Sequence, residues 1–219
     1  MRRILVTRDH REVALSDLSL PISLWPPETP LEIEIGFGKG RYLLSRAAEA
    51  PERAFLGIES AVKYYRLANQ RALRRRSANV VTICGEALFL ISCCLEPGRA
   101  EAVHVYFPDP WPKMRHQRRR LFEPENVDLV LSLLRPGGRL FFATDHTEYG
   151  ALVARLLEGH PDIEVEARSG PWPDGPRTNY EAKYVREGRS IRRLVATLRE
   201  DCERPSLHPE GAAGVVVGW

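Results

Sequence analysis

Hydrophobic and polar positions alternate along this chain with two periods, one typical of strands and one typical of helices. From residue 31 onward, each short apolar run of strand length is followed by a segment whose apolar positions have helical spacing. The predicted strands are 31–35, 54–59, 79–84, 102–107, 139–144, 163–168 and 191–199. The predicted helices are 40–50, 61–76, 87–95, 124–134, 147–158 and 178–187. This βα alternation predicts an α/β fold with a mostly parallel, seven-stranded sheet covered by helices on both faces.

The same pattern divides the chain into three stretches. Residues 1–30 contain Pro21, Pro26, Pro27 and Pro30 and lack sustained periodicity, so we predict an irregular N-terminal arm. Residues 31–200 carry the alternating pattern and are predicted to form one domain. Residues 201–219 are rich in glycine and proline, and we predict a mobile C-terminal tail.

The positive charge of the chain is concentrated in one short segment. The formal net charge is +3, and residues 113–120 alone hold five cations, so the rest of the chain sums to −2. A local basic patch is a better indication of a polyanionic partner than a high total charge. We therefore expect residues 113–120 to face a polyanion.

Cysteine usage and apolar run lengths exclude several classes of protein. The four cysteines form no CxxC motif, and no Cys/His cluster has zinc spacing, so no metal site is predicted. We expect no signal peptide, because nothing in the first residues resembles one, and no apolar run approaches the roughly 18 residues of a membrane helix. We expect a reduced, cytoplasmic protein without a membrane partner.

One carboxylate stands between two prolines where a predicted strand ends. The segment is FPDPWPK over residues 107–113, and the basic segment begins at its last residue. Each proline fixes its own φ and restricts the residue before it, so Asp109 is expected to have little conformational freedom. A fixed carboxylate beside a cationic loop is typical of an enzyme that works on a polyanion. A rigid surface turn followed by a solvated loop is the structural alternative.

A glycine-rich turn, EIGFGKG over residues 34–40, joins the first strand of the domain to its first helix. Glu59 ends the next strand, and the spacing suits a carboxylate that accepts hydrogen bonds from a ribose diol. The dinucleotide fingerprint GxGxxG needs a small residue where Arg41 stands, which argues against a nicotinamide-dependent dehydrogenase. The GxGxG pattern instead resembles class I S-adenosylmethionine-dependent methyltransferases. In an open α/β sheet these groups meet at the carboxyl ends of the strands.

With these residues assembled, the chain resembles the bacterial tRNA (guanine-N7)-methyltransferases, the TrmB family, over about residues 31–200. The resemblance rests on the turn at 34–40, GIE at 57–59, FPDPWPK at 107–113, RRRL at 118–121, ATDH at 143–146 and TNYE at 178–181. The proline-rich segment together with the late T-x-x-E is specific, and the glycine turn is not. The resemblance implies a Rossmann-like class I methyltransferase fold. It also implies transfer of a methyl group from S-adenosylmethionine to N7 of a guanine in the tRNA variable loop.

The resemblance also implies roles for individual residues. Asp109 would be the catalytic carboxylate. The cofactor would contact Glu34, Gly36, Gly38, Glu59, Glu86 and Asp109. The substrate would contact Lys113, Asp145, Thr178, Asn179, Tyr180 and Glu181. From their charge, the cations of the basic segment are expected to bind tRNA phosphates: Lys113, Arg115, Arg118, Arg119 and Arg120. Glu86 departs from the family, which more usually has Asp at this position.

Several alternatives remain open from the residues themselves. Glu86 can equally serve as a helix N-terminal carboxylate, and Asp145 can cap the helix that follows it. Thr178 and Glu181 have the spacing of a capping box. The chain could also methylate another nucleic-acid atom, or be a non-catalytic RNA-binding module with a methyltransferase-like fold. A monomer and a homodimer are both compatible with the sequence.

Overall fold

A continuous twisted sheet organises the molecule, in a computed structural model that describes residues 5–8, 11–14 and 25–202. The strands are β1 (Leu5–Arg8), β2 (Arg11–Ala14), β3 (Leu31–Ile35), β4 (Ala54–Glu59), β5 (Val80–Cys84), β6 (Ala100–Tyr106), β7 (Leu134–Thr144), β8 (Ile163–Arg168) and β9 (Arg192–Leu198). Their order in the sheet is β2-β1-β5-β4-β3-β6-β7-β9-β8. Strands β5, β4, β3, β6 and β7 are parallel, and the pairs at both ends of the sheet are antiparallel.

Helices cover both faces of the sheet. They are α1 (Arg41–Glu49), α2 (Val62–Arg75), α3 (Ala87–Cys93), α4 (Val127–Leu131), α5 (Thr147–Glu158) and α6 (Asn179–Arg186). Two short 3₁₀ turns occupy Met114–Arg119 and Pro124–Asn126. Within the described ranges, no helix is both long enough and apolar enough to cross a bilayer.

The predicted α/β fold is confirmed, and the seven strands of the domain form at or near the predicted positions. The largest difference is in β7, which begins at Leu134 and not at 139, while the helix predicted over 124–134 is shortened to Val127–Leu131. The prediction of a wholly irregular N-terminal arm is wrong, because β1 and β2 form a hairpin that pairs with the edge strand β5 and extends the sheet to nine strands. Each of these strands has four residues, too few to show a period, and the pairing partner is far along the chain. The prediction of a mobile tail falls mostly on residues 203–219, outside the described part, and the domain boundaries stay a prediction.

The two faces of the central strands differ in chemistry. On one face, Ile33, Ile35 and Val103 belong to the main apolar core beneath α3, α4 and α5. On the other face, strand alternation places Glu32 and Glu34, which are buried all the same. Apolar residues of α1 and α2 and an aromatic cluster that includes Tyr42 and Trp172 cover this second face. The carboxylates of Glu32 and Glu34 therefore lie on the face of the sheet that is covered by α1, the helix that follows the glycine turn.

Candidate active site

The sequence-predicted site residues gather at one edge of the sheet. Parallel strands end at the same edge, and β3, β4 and β6 are followed there by the glycine turn, by the residues after Glu59 and by the segment that holds Asp109. Strands β3 and β6 are direct neighbours in the sheet. The glycine turn and Asp109 therefore start from adjacent strands, about 5 Å apart.

The glycine turn has the conformation that glycine uniquely allows. Gly36 and Gly38 have φ angles of 75° and 54°, in the left-handed region where other residues are disfavoured. A Cβ atom at either position would meet no atom within 4 Å, so the outer side of the turn is open to a ligand. The backbone N–H of Gly38 donates to Glu59 Oε2 at 2.8 Å, and the N–H of Ala61 donates to Glu59 Oε1 at 2.9 Å. The Glu59 carboxylate thus fixes the turn and retains lone pairs for a ribose diol.

Glu34 is a buried acid with an unmet hydrogen bond. It is 3% exposed, and among the described residues its Oε2 atom has no hydrogen-bond partner. Burial raises the pKa of Glu34 to about 8, and the nearby Glu59 charge adds to this, while the Leu43 backbone N–H and Arg177 oppose it. A cationic ligand group at Oε2 would complete the site. Open space at the turn and an orphaned acceptor beside it fit the ammonium end of S-adenosylmethionine.

Glu86 lies exposed at the start of α3 and caps this helix. Its Oε1 accepts from the Leu88 N–H at 3.2 Å, and its Oε2 accepts from the Phe89 N–H at 2.8 Å. The helix-terminus alternative for Glu86 is therefore correct. Both oxygens keep a free lone pair, so capping does not exclude a ligand contact.

The segment around Asp109 is strained. Phe107 and Trp111 have φ angles of 52° and 39°, and each precedes a proline. Proline normally directs its predecessor to an extended conformation with negative φ, so both residues cost free energy here, on the order of 1–3 kcal/mol each. The Phe107 N–H donates to the Ala143 carbonyl at 2.7 Å and holds the start of the segment. The Asp109 side chain is exposed, and within the described ranges no group donates a hydrogen bond to it. The carboxylate is thus held by its backbone and left free for a ligand.

Arg120 has a structural position, and its prediction as a phosphate-gripping residue is wrong. It is buried, its Nε donates to the Pro110 carbonyl at 2.7 Å, and its Nη1 pairs with Glu123 at 3.0 Å. Its guanidinium also lies 5.2 Å from the centre of the Tyr149 ring. Arg120 therefore fastens the far side of the Asp109 segment to the body of the domain.

The preceding cations, in contrast, face solvent. Lys113, Arg115, Arg118 and Arg119 are exposed on and beside the 3₁₀ turn, and none forms an ion pair with a described carboxylate. The Arg119 guanidinium lies 5.1 Å from the centre of the Trp111 ring. These charges are available to a polyanion that approaches Asp109.

Asp145 follows β7 at the same edge of the sheet. Its Oδ2 pairs with Arg189 Nη1 at 3.2 Å, and both side chains are partly exposed. The helix-capping alternative is wrong for Asp145, because His146 caps α5 by accepting from the Tyr149 N–H through Nδ1 at 3.2 Å. Asp145 therefore does not cap the start of α5 and remains a candidate for substrate contact.

The residues at 178–181 divide into two groups. Thr178 caps α6 by accepting from the Glu181 N–H at 3.0 Å, and Asn179 and Tyr180 are exposed. Glu181 is fully buried, pairs with Arg193 at 2.8 Å and accepts from the Arg177 N–H at 2.9 Å. This arrangement differs from a standard capping box, in which the acid reaches the N-cap N–H itself. Glu181 thus positions the start of α6 and does not reach the surface.

Sequence reasoning missed a buried polar network behind the site. His104 joins Glu32 through Nε2 at 3.1 Å and the Tyr106 hydroxyl through Nδ1 at 2.9 Å. Arg177 donates from Nη1 to the same hydroxyl at 2.6 Å. The alternation of glutamates in β3 was an available signal for a polar face, whereas nothing in the sequence distinguishes Arg177 from the other arginines.

Comparison with known proteins adds independent findings. A family model described as a putative methyltransferase matches residues 28–194. A tRNA (guanine-N(7)-)-methyltransferase of Nitrosococcus oceani is 37% identical over 163 residues, which cover 73% of this chain and 67% of that protein. A protein of the same name from Alkalilimnicola ehrlichii is 35% identical over 174 residues, with 78% and 73% covered.

Solved structures are similar in fold at low sequence identity. The crystal structure of a 16S rRNA (adenine(1408)-N(1))-methyltransferase from Catenulisporales acidiphilia matches with a TM-score of 0.57 at 14% identity, and covers 92% of this chain and all of that one. An O-methyltransferase from Thermotoga maritima matches with a TM-score of 0.54 at 17% identity, covering 82% of this chain and 62% of that one. These matches confirm the predicted class I methyltransferase fold.

Proposed function

This chain belongs to the tRNA (guanine-N(7)-)-methyltransferase family, and we propose that it modifies a guanine in the variable loop of tRNA. Membership rests on the family model over most of the chain and on relatives above 30% identity across two thirds of it. The enzyme transfers a methyl group from S-adenosylmethionine to N7 of a guanine in tRNA. The variable loop and the residues that act there are the parts we propose.

The observation that carries the proposal is the position of Asp109. An exposed carboxylate without a described hydrogen-bond donor follows β6, and the open glycine turn follows the neighbouring strand β3. A cofactor on the turn and a base above Asp109 would then be within reach of each other. Direct transfer of the methyl group requires the two reacting atoms to be held in contact, which is what binding at neighbouring strand ends would provide.

The cofactor set is Glu34, Gly36, Gly38, Glu59, Glu86 and Asp109. In this assignment Glu34 receives the ammonium group, Glu59 receives the ribose diol and Glu86 faces the adenine side. The unmet Oε2 of Glu34 and the open turn support it. When bound, S-adenosylmethionine supplies an electrophilic methyl group on a sulfonium sulfur.

The chemistry asks little acid–base work of the protein. Guanine N7 has a lone pair and no proton, so its attack on the methyl carbon needs no general base, and the C–S bonding pair leaves with sulfur. Positioning can supply roughly 7–11 kcal/mol of barrier reduction in favourable cases. Positive charge develops on the purine ring as the bond forms. Asp109 would hold the guanine edge through N1–H and the 2-amino group and stabilise this charge.

The substrate set surrounds Asp109. Lys113, Arg115, Arg118 and Arg119 would bind tRNA phosphates, since they are exposed and unpaired among the described residues. Asp145, Thr178, Asn179 and Tyr180 would contact the guanosine or its neighbours from β7 and α6. Glu181 would act by positioning α6, because its carboxylate is buried and engaged by Arg193. RNA is recognised largely by shape and exposed bases, so the cations give affinity more than sequence choice.

Two further properties complete the proposal, the cellular location of the reaction and the oligomeric state of the enzyme. We place the reaction in the cytoplasm, where tRNA is modified, and expect the enzyme to act as a monomer or a homodimer. Light scattering of the purified protein, with and without tRNA, measures the second property.

The decisive experiment is methyl transfer from labelled S-adenosylmethionine to unmodified tRNA. The product nucleoside is identified by mass, and its position is mapped by borohydride reduction and aniline cleavage, to which 7-methylguanosine is sensitive. We expect cleavage at one guanine of the variable loop. Label in another nucleoside, or cleavage outside that loop, would contradict the proposal.

A further inference from the structure

Arg177 occupies an unusual position for a cation. Its side chain is 11% exposed. The guanidinium carbon lies 4.3 Å from the ring centre of Trp172, 5.0 Å from Phe141, 5.1 Å from Tyr42 and 5.8 Å from Tyr106. Cations are attracted to such ring faces, and a planar guanidinium stacks on them well. Arg177 is therefore held in a cage of four aromatic rings.

The cage connects the two halves of the active site. Tyr42 stands in the first turn of α1, directly after the glycine turn, and Tyr106 is the last residue of β6, just before the Asp109 segment. Nη1 of Arg177 donates to the Tyr106 hydroxyl at 2.6 Å, and Nε pairs with Asp174 at 3.1 Å. Nη2 donates to no acceptor among the described residues. Two nitrogens of the guanidinium, Nη1 and Nε, are thus held in place, and the third, Nη2, is left without a described acceptor.

Arg177 is linked to the neighbourhood of Glu34 through Tyr106, because the Tyr106 hydroxyl that it contacts also bonds to His104, the residue paired with Glu34 across β3 and β6. The charge of Arg177 counts among the influences that lower the pKa of Glu34, against the larger effect of burial. Glu34 offers an unmet acceptor, and Arg177 uses only Nε and Nη1 in its hydrogen bonds to described side chains. The indole N–H of Trp172, the nearest ring to Arg177, is a buried donor with no partner among the described residues, and Nε of Arg168 is another.

A small zwitterion satisfies this arrangement. An α-amino acid head group has an ammonium and a carboxylate on one carbon, so it can meet Glu34 and Arg177 together. A phosphate of a polynucleotide fits less well, because the guanidinium is mostly enclosed by rings and a phosphate has no cationic group to meet the unpaired oxygen of Glu34. We propose that Arg177 binds the carboxylate of the amino-acid end of S-adenosylmethionine, opposite Glu34. This assignment rests on the proposed function, which supplies the cofactor.

A ligand series without tRNA tests the assignment. Calorimetry compares the wild type with Arg177→Gln for S-adenosylmethionine, for its decarboxylated analogue and for methylthioadenosine, which lacks the whole amino-acid end. We expect Arg177→Gln to weaken S-adenosylmethionine about ten- to a hundredfold, as for loss of a hydrogen bond to a charged group. The decarboxylated analogue and methylthioadenosine should change less than about threefold. Arg177→Lys keeps the charge without the fork and should recover part of the loss.

Arg168→Gln is the matched control. Arg168 lies 5.9 Å from the same Trp172 ring but on β8, outside the cage. Its loss should leave all three affinities unchanged. An equal loss for S-adenosylmethionine and its decarboxylated analogue would overturn the proposal and assign Arg177 to packing, as would an equal effect of Arg168→Gln. If the wild type binds S-adenosylmethionine but does not modify tRNA, the proposed function fails while the carboxylate assignment is still decided by the series.

Discussion

The two halves of the active site treat their charges in opposite ways. On the β3–β4 side, Glu34 and Glu59 are buried, and backbone N–H groups of the glycine turn and α2 hold Glu59 in place. On the β6 side, Asp109 and the four cations of residues 113–119 are exposed, and no described side chain forms a salt bridge with them. The first half is built before its ligand arrives, whereas the second leaves its charges for the ligand to pair. This division suits a small cofactor on one side and a large polyanion on the other.

The difference also appears in the backbone. The glycine turn reaches positive φ with glycines and at no steric cost, but the Asp109 segment reaches it with Phe107 and Trp111. Such strain persists only where the surroundings hold it, here by the Ala143 carbonyl on one side and Arg120 on the other. The exposed half is therefore open to ligand without being loose.

The largest expected effect comes from Asp109. Asp109→Asn keeps the shape and removes the charge, so it should lower kcat on saturating tRNA roughly 10²–10³-fold, as for loss of one electrostatic contact in a transition state. Single-turnover kinetics measures this. Asp128→Asn, an exposed acid on α4, should have no effect. A near-normal kcat would show that Asp109 does not stabilise the transition state, and the two halves of the site would then differ only in the ligands that they bind.

The next effect comes from the exposed cations. Replacing Lys113, Arg115 and Arg118 with Gln should raise KM for tRNA about ten- to a hundredfold and flatten the salt dependence by about 0.7–0.9 per lost phosphate contact. The affinity for S-adenosylmethionine should not change. The control replaces Arg74, Arg75 and Arg76, three exposed cations at the far end of α2. If the KM for tRNA rises equally in both triple variants, tRNA binding depends on the total charge of the protein and the cations beside Asp109 have no special role.

Glu34 gives a smaller effect with a defined sign. Its folded pKa of about 8 lies above its ordinary value of 4.5, so the folded state binds a proton that the unfolded state has released. Stability without cofactor should therefore fall as the pH rises between those values, by up to about 1.4 kcal/mol per pH unit. Burial lowers the pKa of His104, which favours folding as the pH rises to about 6.5 and partly masks the trend there.

The clearest window for this measurement is therefore from about pH 6.5 to pH 8. The free energy of unfolding in urea is measured for the wild type and for Glu34→Gln at several pH values in this range. Because the variant keeps His104 but lacks the titrating carboxyl, its stability should not fall as the pH rises. S-adenosylmethionine should remove the fall in the wild type, because its ammonium group favours the ionised carboxylate. Parallel stability curves for the two proteins would show that Glu34 does not titrate in this range.

Much of this architecture was predictable, because the βα period is strong and strand ends bring motifs to one edge. The turn at 34–40, Glu59 and Asp109 were found in this way. The β1–β2 hairpin was not, since its four-residue strands depend on pairing with β5, a contact between distant parts of the chain. Local pattern does not contain that information.

The roles of individual arginines were also beyond the sequence. Arg119 and Arg120 are neighbours in one basic run, yet one is exposed and the other buried against the Pro110 carbonyl. Arg177 is caged by rings from four separate segments, so only the folded chain reveals it. Buried cations are specified by tertiary contacts rather than by spacing, which is why the sequence did not reveal the network behind the site.

The smallest expected effect comes from Glu86, which is exposed like the residues of the β6 half but lies on the cofactor side of the site. Glu86→Ala removes both cap hydrogen bonds of α3 and should lower the free energy of unfolding by about 1 kcal/mol. It should also weaken S-adenosylmethionine a few-fold. Glu86→Ser restores a cap without a carboxylate, so urea unfolding should show recovered stability while calorimetry still shows the weaker cofactor binding. If serine restores both quantities, Glu86 acts on the cofactor only through the helix it caps, and every direct contact on that side would come from a buried residue or from the turn.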